Sequence, residues 1–292
     1  MTSRFFVSAI LASSVFAVAV PAKADSFNFS TGGPTNAMAS ASRPDSAGKT
    51  EIESADDFVT TATQTSITSA TFTGLLSGVV TTPTVQNVIV EIYRVFPNDS
   101  TVPPSGNVVT RVNSPSDAAF GSRDASAGSL SFTTATLAAT FTALNSVQPG
   151  GIHPKPGQTT GGDGSITGQE VLFTVNFTTP INLPPDHYFF VPQVQVSGGE
   201  FFWLSGDRPN PSFPAGFTDL QSWIRDAALD PDWSRIGTDI VGGTTPPTFN
   251  AAFSLDGVTA TPLPATLPLF ATGLGALGLL GWRRKRKSAA VA

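Results

Sequence analysis

The feature that most constrains the fold of this chain is a strict alternation of apolar and other side chains in several short segments. The segment VLFTVNF places one apolar set on a single face of a strand, namely Val171, Phe173, Val175 and Phe177. The segment PTFNAAFSL repeats the pattern with Phe249, Ala251, Phe253 and Leu255. A period of two residues predicts β-strands with one buried face.

Further strand signals outnumber every other kind of pattern in the chain. VIVEIYRVF (88–96) and YFFVPQVQV (188–196) are rich in β-branched and aromatic residues, and Pro192 predicts an edge or bulged position in the second of these. One short helix is predicted after Asp219, because Leu220, Trp223, Ile224, Ala227 and Ala228 recur at helical spacing. The sequence therefore predicts an all-β fold, a single elaborated β-sandwich or jelly roll with long loops and one short helix.

The charge of the chain is unevenly distributed. Residues 25–259 hold all 21 acidic residues and nine of the 16 basic ones, which gives this part a net charge of −12. Binding to nucleic acid depends on cationic contacts with phosphate, so an acidic body argues against that partner. The chain has no cysteine, so its core has to be stable without disulfides.

The N-terminus has the three-part order of a secretory signal peptide. Met1 to Arg4 is a short basic region, Phe5 to Val20 is apolar, and AKA ends at a cleavage site marked by Ala22, Ala24 and Asp25. Removal of residues 1–24 by signal peptidase is expected, and the rest of the chain is expected to be exported.

The C-terminus carries an apolar run that precedes a basic block. Residues 267–282 contain no charged residue, and Trp282 is followed by Arg283, Arg284, Lys285, Arg286 and Lys287. With its flanks, such a run can cross a bilayer as a helix, and the basic cluster favours a cytoplasmic end. The run also contains GLGALG (273–278), a letter match to a dinucleotide fingerprint, but no acidic residue follows it, so the glycines fit close helix packing better.

The order of these C-terminal parts resembles the PEP-CTERM sorting signal of Gram-negative bacteria. The motif TPLPA, with Pro262, Leu263, Pro264 and Ala265, is similar to the VPLPA subtype, although Thr261 stands where that subtype has Val. The resemblance covers the last 32 residues and implies processing by an exosortase, a membrane enzyme thought to cleave near the Pro-x-Pro motif. The phrases EIYRVFPNDS and DHYFFVPQV resemble segments of uncharacterised exported bacterial proteins, which implies no activity.

The expected organisation has four parts. Residues 1–24 form the signal peptide, 25–49 a flexible leader, 50–258 the β-sandwich, and 259–292 the sorting segment with a transmembrane helix at 267–282. The expected route is therefore export across the inner membrane and a single-pass intermediate with a cytoplasmic C-terminus. Release or display at the cell surface follows.

Candidate binding and catalytic residues are few. Asp163 and Glu170 in one loop, and Asp230 and Asp232 in another, are weak Ca²⁺ candidates because carboxylates suit that ion. A flat sugar-stacking platform is a second option, built from Trp203, Trp223 and Trp233. The chain has two histidines, His153 and His187, and no G-x-S-x-G motif, so no catalytic residue is assigned.

The sequence thus predicts an exported surface or extracellular-matrix protein with no catalysis and no cofactor of its own. A carbohydrate-binding module associated with exopolysaccharide is the alternative, and an extracellular hydrolase using His187 is the third possibility. The expected partners are the membrane and the two processing enzymes.

Overall fold

Two β-sheets account for most of the structure, a computed structural model that describes residues 24–78, 84–96, 112–148, 159–210, 213–226, 233–260, 273–275 and 277–278. The first sheet contains nine strands, β1 (Asp25–Ser30), β2 (Ala39–Ala41), β4 (Thr65–Ser77), β7 (Leu130–Ala143), β8 (Ser146–Val147), β9 (Ile166–Leu183), β11 (Glu200–Gly206), β14 (Asn250–Ala251) and β15 (Phe253–Thr259). The second contains six, β3 (Ile52–Thr60), β5 (Thr84–Arg94), β6 (Gly121–Asp124), β10 (Asp186–Ser197), β12 (Trp223–Asp226) and β13 (Ser234–Arg235). The predicted all-β class is confirmed.

Strand β4 organises the first sheet. One edge of β4 pairs with β9, which in turn pairs with β7. The other edge pairs with β15 along Thr65–Phe72 and with β11 along Gly74–Ser77. Gly74 allows this close arrangement, because a Cβ at that position would lie 2.2 Å from the Phe201 ring.

The main core lies between the two sheets. It combines Phe72, Phe173 and Phe253 of the first sheet with Phe58 and Phe190 of the second. The rings of Phe72 and Phe173 stack with centroids 4.8 Å apart, and those of Phe190 and Phe253 with centroids 5.1 Å apart. The alternation predicted for 171–177 is confirmed, because all four apolar residues of that set belong to this core. A sandwich-like, two-sheet body results.

Two smaller clusters lie outside this core. One packs Leu75, Phe202 and Leu204 of the first sheet with Ile52 and Ile224 of the second, and with Ile236 and Ile240 from a π-helical turn at Ile236–Val241. The other lies on the second sheet and includes Tyr93, Phe189, Trp223 and Trp233. The chain after β11 therefore joins the second sheet, where β12 pairs with β3 and β13 pairs with β12.

The predicted flexible leader at 25–49 is wrong. Strand β1 pairs along its whole length with β15, with Asp25 opposite Thr259, and β2 pairs with β11. Residues 38–44 are buried. Asp25–Ala260 consequently forms one compact unit instead of a sandwich that starts at residue 50.

The predicted helix after Asp219 is also wrong where the structure describes it. Trp223–Asp226 is strand β12, which pairs with the Ile52–Ala55 half of β3, and Ala227 and Ala228 lie outside the described residues. Pairing with an open sheet edge satisfies backbone groups that a short helix would leave unpaired at its ends.

Pro192 lies in a strand that has neighbours on both sides. Strand β10 pairs with β3 only along Asp186–Phe190, so Pro192 lies beyond the stretch where a missing N–H would break that ladder. A register shift follows between Gln195 and Val196 in the pairing with β5. The predicted bulge therefore occurs three residues after the proline.

The described part of the chain contains no helix that is long and apolar enough to span a membrane. Most of the predicted transmembrane helix at 267–282 lies outside the described residues. Within it, 273–275 and 277–278 are helical.

Candidate functional site

The most unusual local feature of this protein is a strand that buries three carboxylates. Strand β3 reads IESADDFVT, and each of its nine residues is buried, including Glu53, Asp56 and Asp57. A buried carboxylate is costly unless hydrogen bonds or opposite charges compensate for lost water. The partners of these three groups therefore define the candidate site.

Asp57 is paired with His187 across the β3–β10 ladder. Its Oδ2 lies 2.6 Å from His187 Nε2 and accepts a second hydrogen bond from the backbone N–H of Leu220 at 3.1 Å. Asp57 Oδ1 is buried and has no hydrogen-bond partner among the described residues. Burial raises the pKa of Asp57 well above its usual value and lowers the pKa of His187 to about 4. Both shifts favour an uncharged pair that shares one proton.

Asp56 points away from His187 and accepts hydrogen bonds from two other parts of the chain. It accepts a hydrogen bond from Ser222 Oγ at 3.0 Å and another from the backbone N–H of Ala251 at 2.9 Å. Burial and the neighbouring Asp57 raise the pKa of this carboxyl well above its usual value. Asp56 thus joins β3 to both β14 and the residues just before β12.

An arginine and an asparagine complete the cluster around Asp219. Arg208 donates to the backbone carbonyl of Leu220 at 2.6 Å and lies 3.4 Å from Asp219 Oδ1. Asn250 donates to the same carboxylate at 3.0 Å. These contacts fix the backbone at residues 219–220, so the N–H of Leu220 stays directed at Asp57.

The His187–Asp57 pair has the geometry of an acid–base pair, but among the described residues no nucleophile contacts it. In hydrolytic triads the carboxylate orients the imidazole, and the other ring nitrogen faces a hydroxyl or thiol. In the described part of the chain no hydroxyl hydrogen-bonds to the His187 ring, which instead lies against the rings of Phe213 and Phe217 at 5.7 and 5.9 Å. The geometry accordingly supports a role in holding the 207–222 segment against β3.

A second buried cluster surrounds the Tyr93 hydroxyl on the same sheet face. The hydroxyl lies 2.6 Å from Glu53 Oε1 and 2.9 Å from Glu91 Oε2. Arg225 forms an ion pair with Glu53, donates to the Tyr93 oxygen at 3.0 Å, and stacks 4.4 Å from the Trp233 ring. Burial, followed by repulsion from Glu53, raises the pKa of Glu91 to about 7.

These clusters have almost no signature in the sequence. Acidic residues are usually exposed, so the pair Asp56–Asp57 in a run of strand formers is the one available signal. Asn250 lies 31 residues after Asp219 and 42 after Arg208, and only the folded chain brings the three together.

The Ca²⁺ candidates do not form a metal site in the described part of the chain. Asp163 accepts a hydrogen bond from the backbone N–H of Gln148 at 2.8 Å, and Glu170 lies buried in β9, where desolvation raises its pKa. No group of three or more potential ligands occurs among the residues described. Asp230 and Asp232 lie outside them, as does His153.

The proposed tryptophan platform is wrong, because the three indoles are buried. Trp203 belongs to the core between the sheets and donates to the Ala252 carbonyl at 2.9 Å. Trp223 and Trp233 belong to the cluster on the second sheet. A sugar ring cannot stack on a tryptophan that is at least 98% buried, as all three are.

The processing residues are mostly outside the described part. Ala24 is exposed and Asp25 begins β1, whereas Ala22, the Pro262–Ala265 motif and the basic residues 283–287 fall on positions that the structure does not describe.

Compared with known protein families, curated proteins and solved structures, this chain matches none of them.

Proposed function

We propose that this chain is an exported protein of the cell surface or extracellular matrix, sorted by a C-terminal exosortase signal and without catalysis of its own. The observation that carries the proposal is the agreement between the compact unit and the predicted processing points. The unit runs from Asp25 to Ala260, and the predicted processing points are the signal-peptide site after Ala24 and the neighbourhood of the Pro262–Ala265 motif.

The pairing of the terminal strands adds support. Asp25 lies opposite Thr259 in the antiparallel β1–β15 ladder, so the beginning of the first strand lies beside the end of the last strand. Cleavage at both points leaves this ladder intact, because every residue of both strands lies between them. A body trimmed at its two ends in this way keeps its complete fold.

A role without catalysis is supported by the geometry around His187. Its imidazole faces a buried acid on one side and aromatic rings on the other, which is an arrangement that stabilises a fold. An extracellular hydrolase remains the competing function. A hydrolytic activity that disappears in His187→Ala, while the variant keeps the unfolding temperature of the parent, contradicts the proposal.

The sorting signal is tested by replacing Pro262 and Pro264 with Ala. This change keeps charge and hydrophobicity nearly constant, so membrane insertion is expected to persist while cleavage fails, because the prolines hold the backbone extended for recognition. A blot of fractionated cells, with an epitope tag in the body, is expected to show unprocessed protein in the membrane fraction.

Two companion variants serve as controls in the same blot. Pro268→Ala removes a neighbouring proline outside the motif and is expected to be processed like the parent. Replacement of residues 283–287 by Ser removes the basic cluster and is expected to give mixed topology. Normal cleavage and release in the double-proline variant contradicts the sorting proposal.

A further inference from the structure

The outer face of the first sheet carries two aligned rows of short polar side chains. The rows follow from the registers of five adjacent strands, β7, β9, β4, β15 and β1. The first row consists of Ser131, Asn176, Ser69, Asp256 and Asn28. The second row consists of Thr133, Thr174, Thr71, Ser254 and Ser30. We call these ten positions the hydroxyl face.

The hydroxyl face points away from the core between the sheets. Residues that alternate with it along the strands, such as Val175, Ala70 and Leu255, are buried in that core. Each of the ten positions is exposed or half-buried. Adjacent strands lie about 4.8 Å apart, so a row of five spans roughly 19 Å.

The face is almost free of charge although the body has a net charge of −12. Asp256 is its one ionisable residue, and its carboxylate accepts a hydrogen bond from the Asn28 amide. The hydroxyls of Thr71 and Ser254 lie 2.6 Å apart and orient one another. The face therefore offers fixed groups that both donate and accept hydrogen bonds, with little net field.

A groove of about 270 Å³ runs beside the second row. Thr71, Thr73 and Ser254 are among the residues that line it, together with the apolar Leu137 and Leu172. Leu137 is 51% exposed. The groove thus combines hydroxyls with apolar surface.

We infer that the hydroxyl face and its groove bind a chain of neutral polysaccharide. Sugar hydroxyls donate and accept hydrogen bonds as Ser, Thr and Asn do, and the C–H surface of a sugar ring packs against aliphatic side chains. An anionic polymer finds no lysine or arginine at these ten positions. The ligand that fits is long, uncharged and rich in hydroxyls.

This inference adds a ligand class to the proposed matrix role but does not depend on sorting. Failure of the Pro262/Pro264 experiment leaves the hydroxyl face unaffected, and failure of the binding experiment leaves the sorting proposal unaffected.

The test is affinity electrophoresis of the full chain, solubilised in a polyoxyethylene detergent that carries no sugar. Native gels contain hydroxyethyl cellulose, dextran or galactomannan, alginate as the anionic polymer, or no polymer. Retarded migration in at least one neutral gel, relative to the gel without polymer, is expected, and alginate is expected to give none.

A triple variant locates the binding. Thr71→Val, Thr133→Val and Thr174→Val together remove three hydroxyls while preserving side-chain shape and strand propensity. Each lost hydrogen bond contributes modestly, so the dissociation constant is expected to rise about tenfold or more. The matched control replaces Thr50, Thr63 and Thr84 with Val, which are exposed positions outside the face. It is expected to bind like the parent.

Three outcomes overturn the inference. They are unchanged migration of the parent in all neutral gels, retardation in alginate alone, and equal retardation of the parent and the triple variant when circular dichroism shows both to be folded.

Discussion

Replacing Glu91 with Gln is expected to stabilise the body at pH 8 far more than at pH 5. The reason lies in the geometry around Tyr93, whose single hydroxyl proton faces two carboxylates, Glu53 and Glu91. Arg225 pairs with Glu53, so the charge of Glu91 is the less well compensated of the two. A glutamine amide keeps a polar group at the same place and cannot ionise.

The magnitude follows from the shift of the Glu91 pKa from 4.5 to about 7. Such a shift corresponds to about 3 kcal/mol between the two protonation states. Because the folded-state pKa is raised, the stabilisation is complete below pH 4.5 and is lost as the pH rises through 7. Glu91 is partly exposed, so solvent screening reduces this figure, and a gain of about 2 kcal/mol for Glu91→Gln is expected at pH 8, with about a few tenths at pH 5.

Urea unfolding followed by tryptophan fluorescence measures this difference. The comparison needs the parent and the variant at both pH values, with an unchanged dependence of unfolding free energy on urea. Asp45→Asn serves as the control, because it makes the matched change from an acid to its amide at an exposed position outside the Tyr93 cluster. An equal effect of Glu91→Gln at the two pH values, or a loss of stability at pH 8, refutes the reasoning.

Three further outcomes are expected. Because burial lowers the pKa of His187 to about 4, its imidazole is expected to stay neutral down to pH 5, and the contribution of His187 alone to stability is expected to fall as pH drops below 6.5; an NMR titration with a midpoint near 6.5 contradicts this. Mature exported protein is expected to begin at Asp25, and N-terminal sequencing that returns Met1 contradicts the signal-peptide prediction. In the presence of a chelator, the body Asp25–Ala260 is expected to give a β-type circular dichroism spectrum and one cooperative melt, because it has no cysteine and its core needs no disulfide. A requirement for Ca²⁺ in folding argues that the acidic loops bind metal.

Sequence patterns predicted those strands in which apolar and polar residues alternate. In β9 the alternation of Phe173 and Phe177 with polar residues is enough, because one face is core and the other is solvent. Strand β2 gives no such signal, since Ala39–Ala41 is buried on both sides by other parts of the chain. Its strand conformation comes from pairing with β11, which is information from distant residues.

The helix predicted after Asp219 illustrates a conflict between local and distant preferences. Leu220, Trp223 and Ile224 fit a helical stripe, but Trp223 and Ile224 are also strand formers. Residues 223–226 adopt the strand because they pair with the edge of β3, and the sequence of residues 219–228 carries no information about that partner.

The candidate sites were hidden for a related reason. The buried acids Asp56 and Asp57 depend on partners more than 100 residues away, such as His187 and Ser222. The two rows of the hydroxyl face align only because four strand pairs, β7–β9, β9–β4, β4–β15 and β15–β1, each have the observed register. Each strand alone shows an ordinary polar side, and a slip of one residue in any ladder exchanges the polar side for the core side.

The pairing of β1 with β15 links the fold to the proposed route of export. The two strands are separated by more than 200 residues, so β1 has no partner along its Asp25–Ser30 edge until Phe253–Thr259 has joined it. A chain exported from its N-terminus therefore completes its first sheet only when the residues just before the Pro262 motif have crossed the membrane. An apolar run that stops transfer immediately after this point holds the chain where the last strand is already available. Closing a loop of this length adds little entropy cost over a shorter one, because that cost grows only with the logarithm of length. The position of the proposed sorting segment directly after β15 thus suits a body whose first and last strands pair with each other.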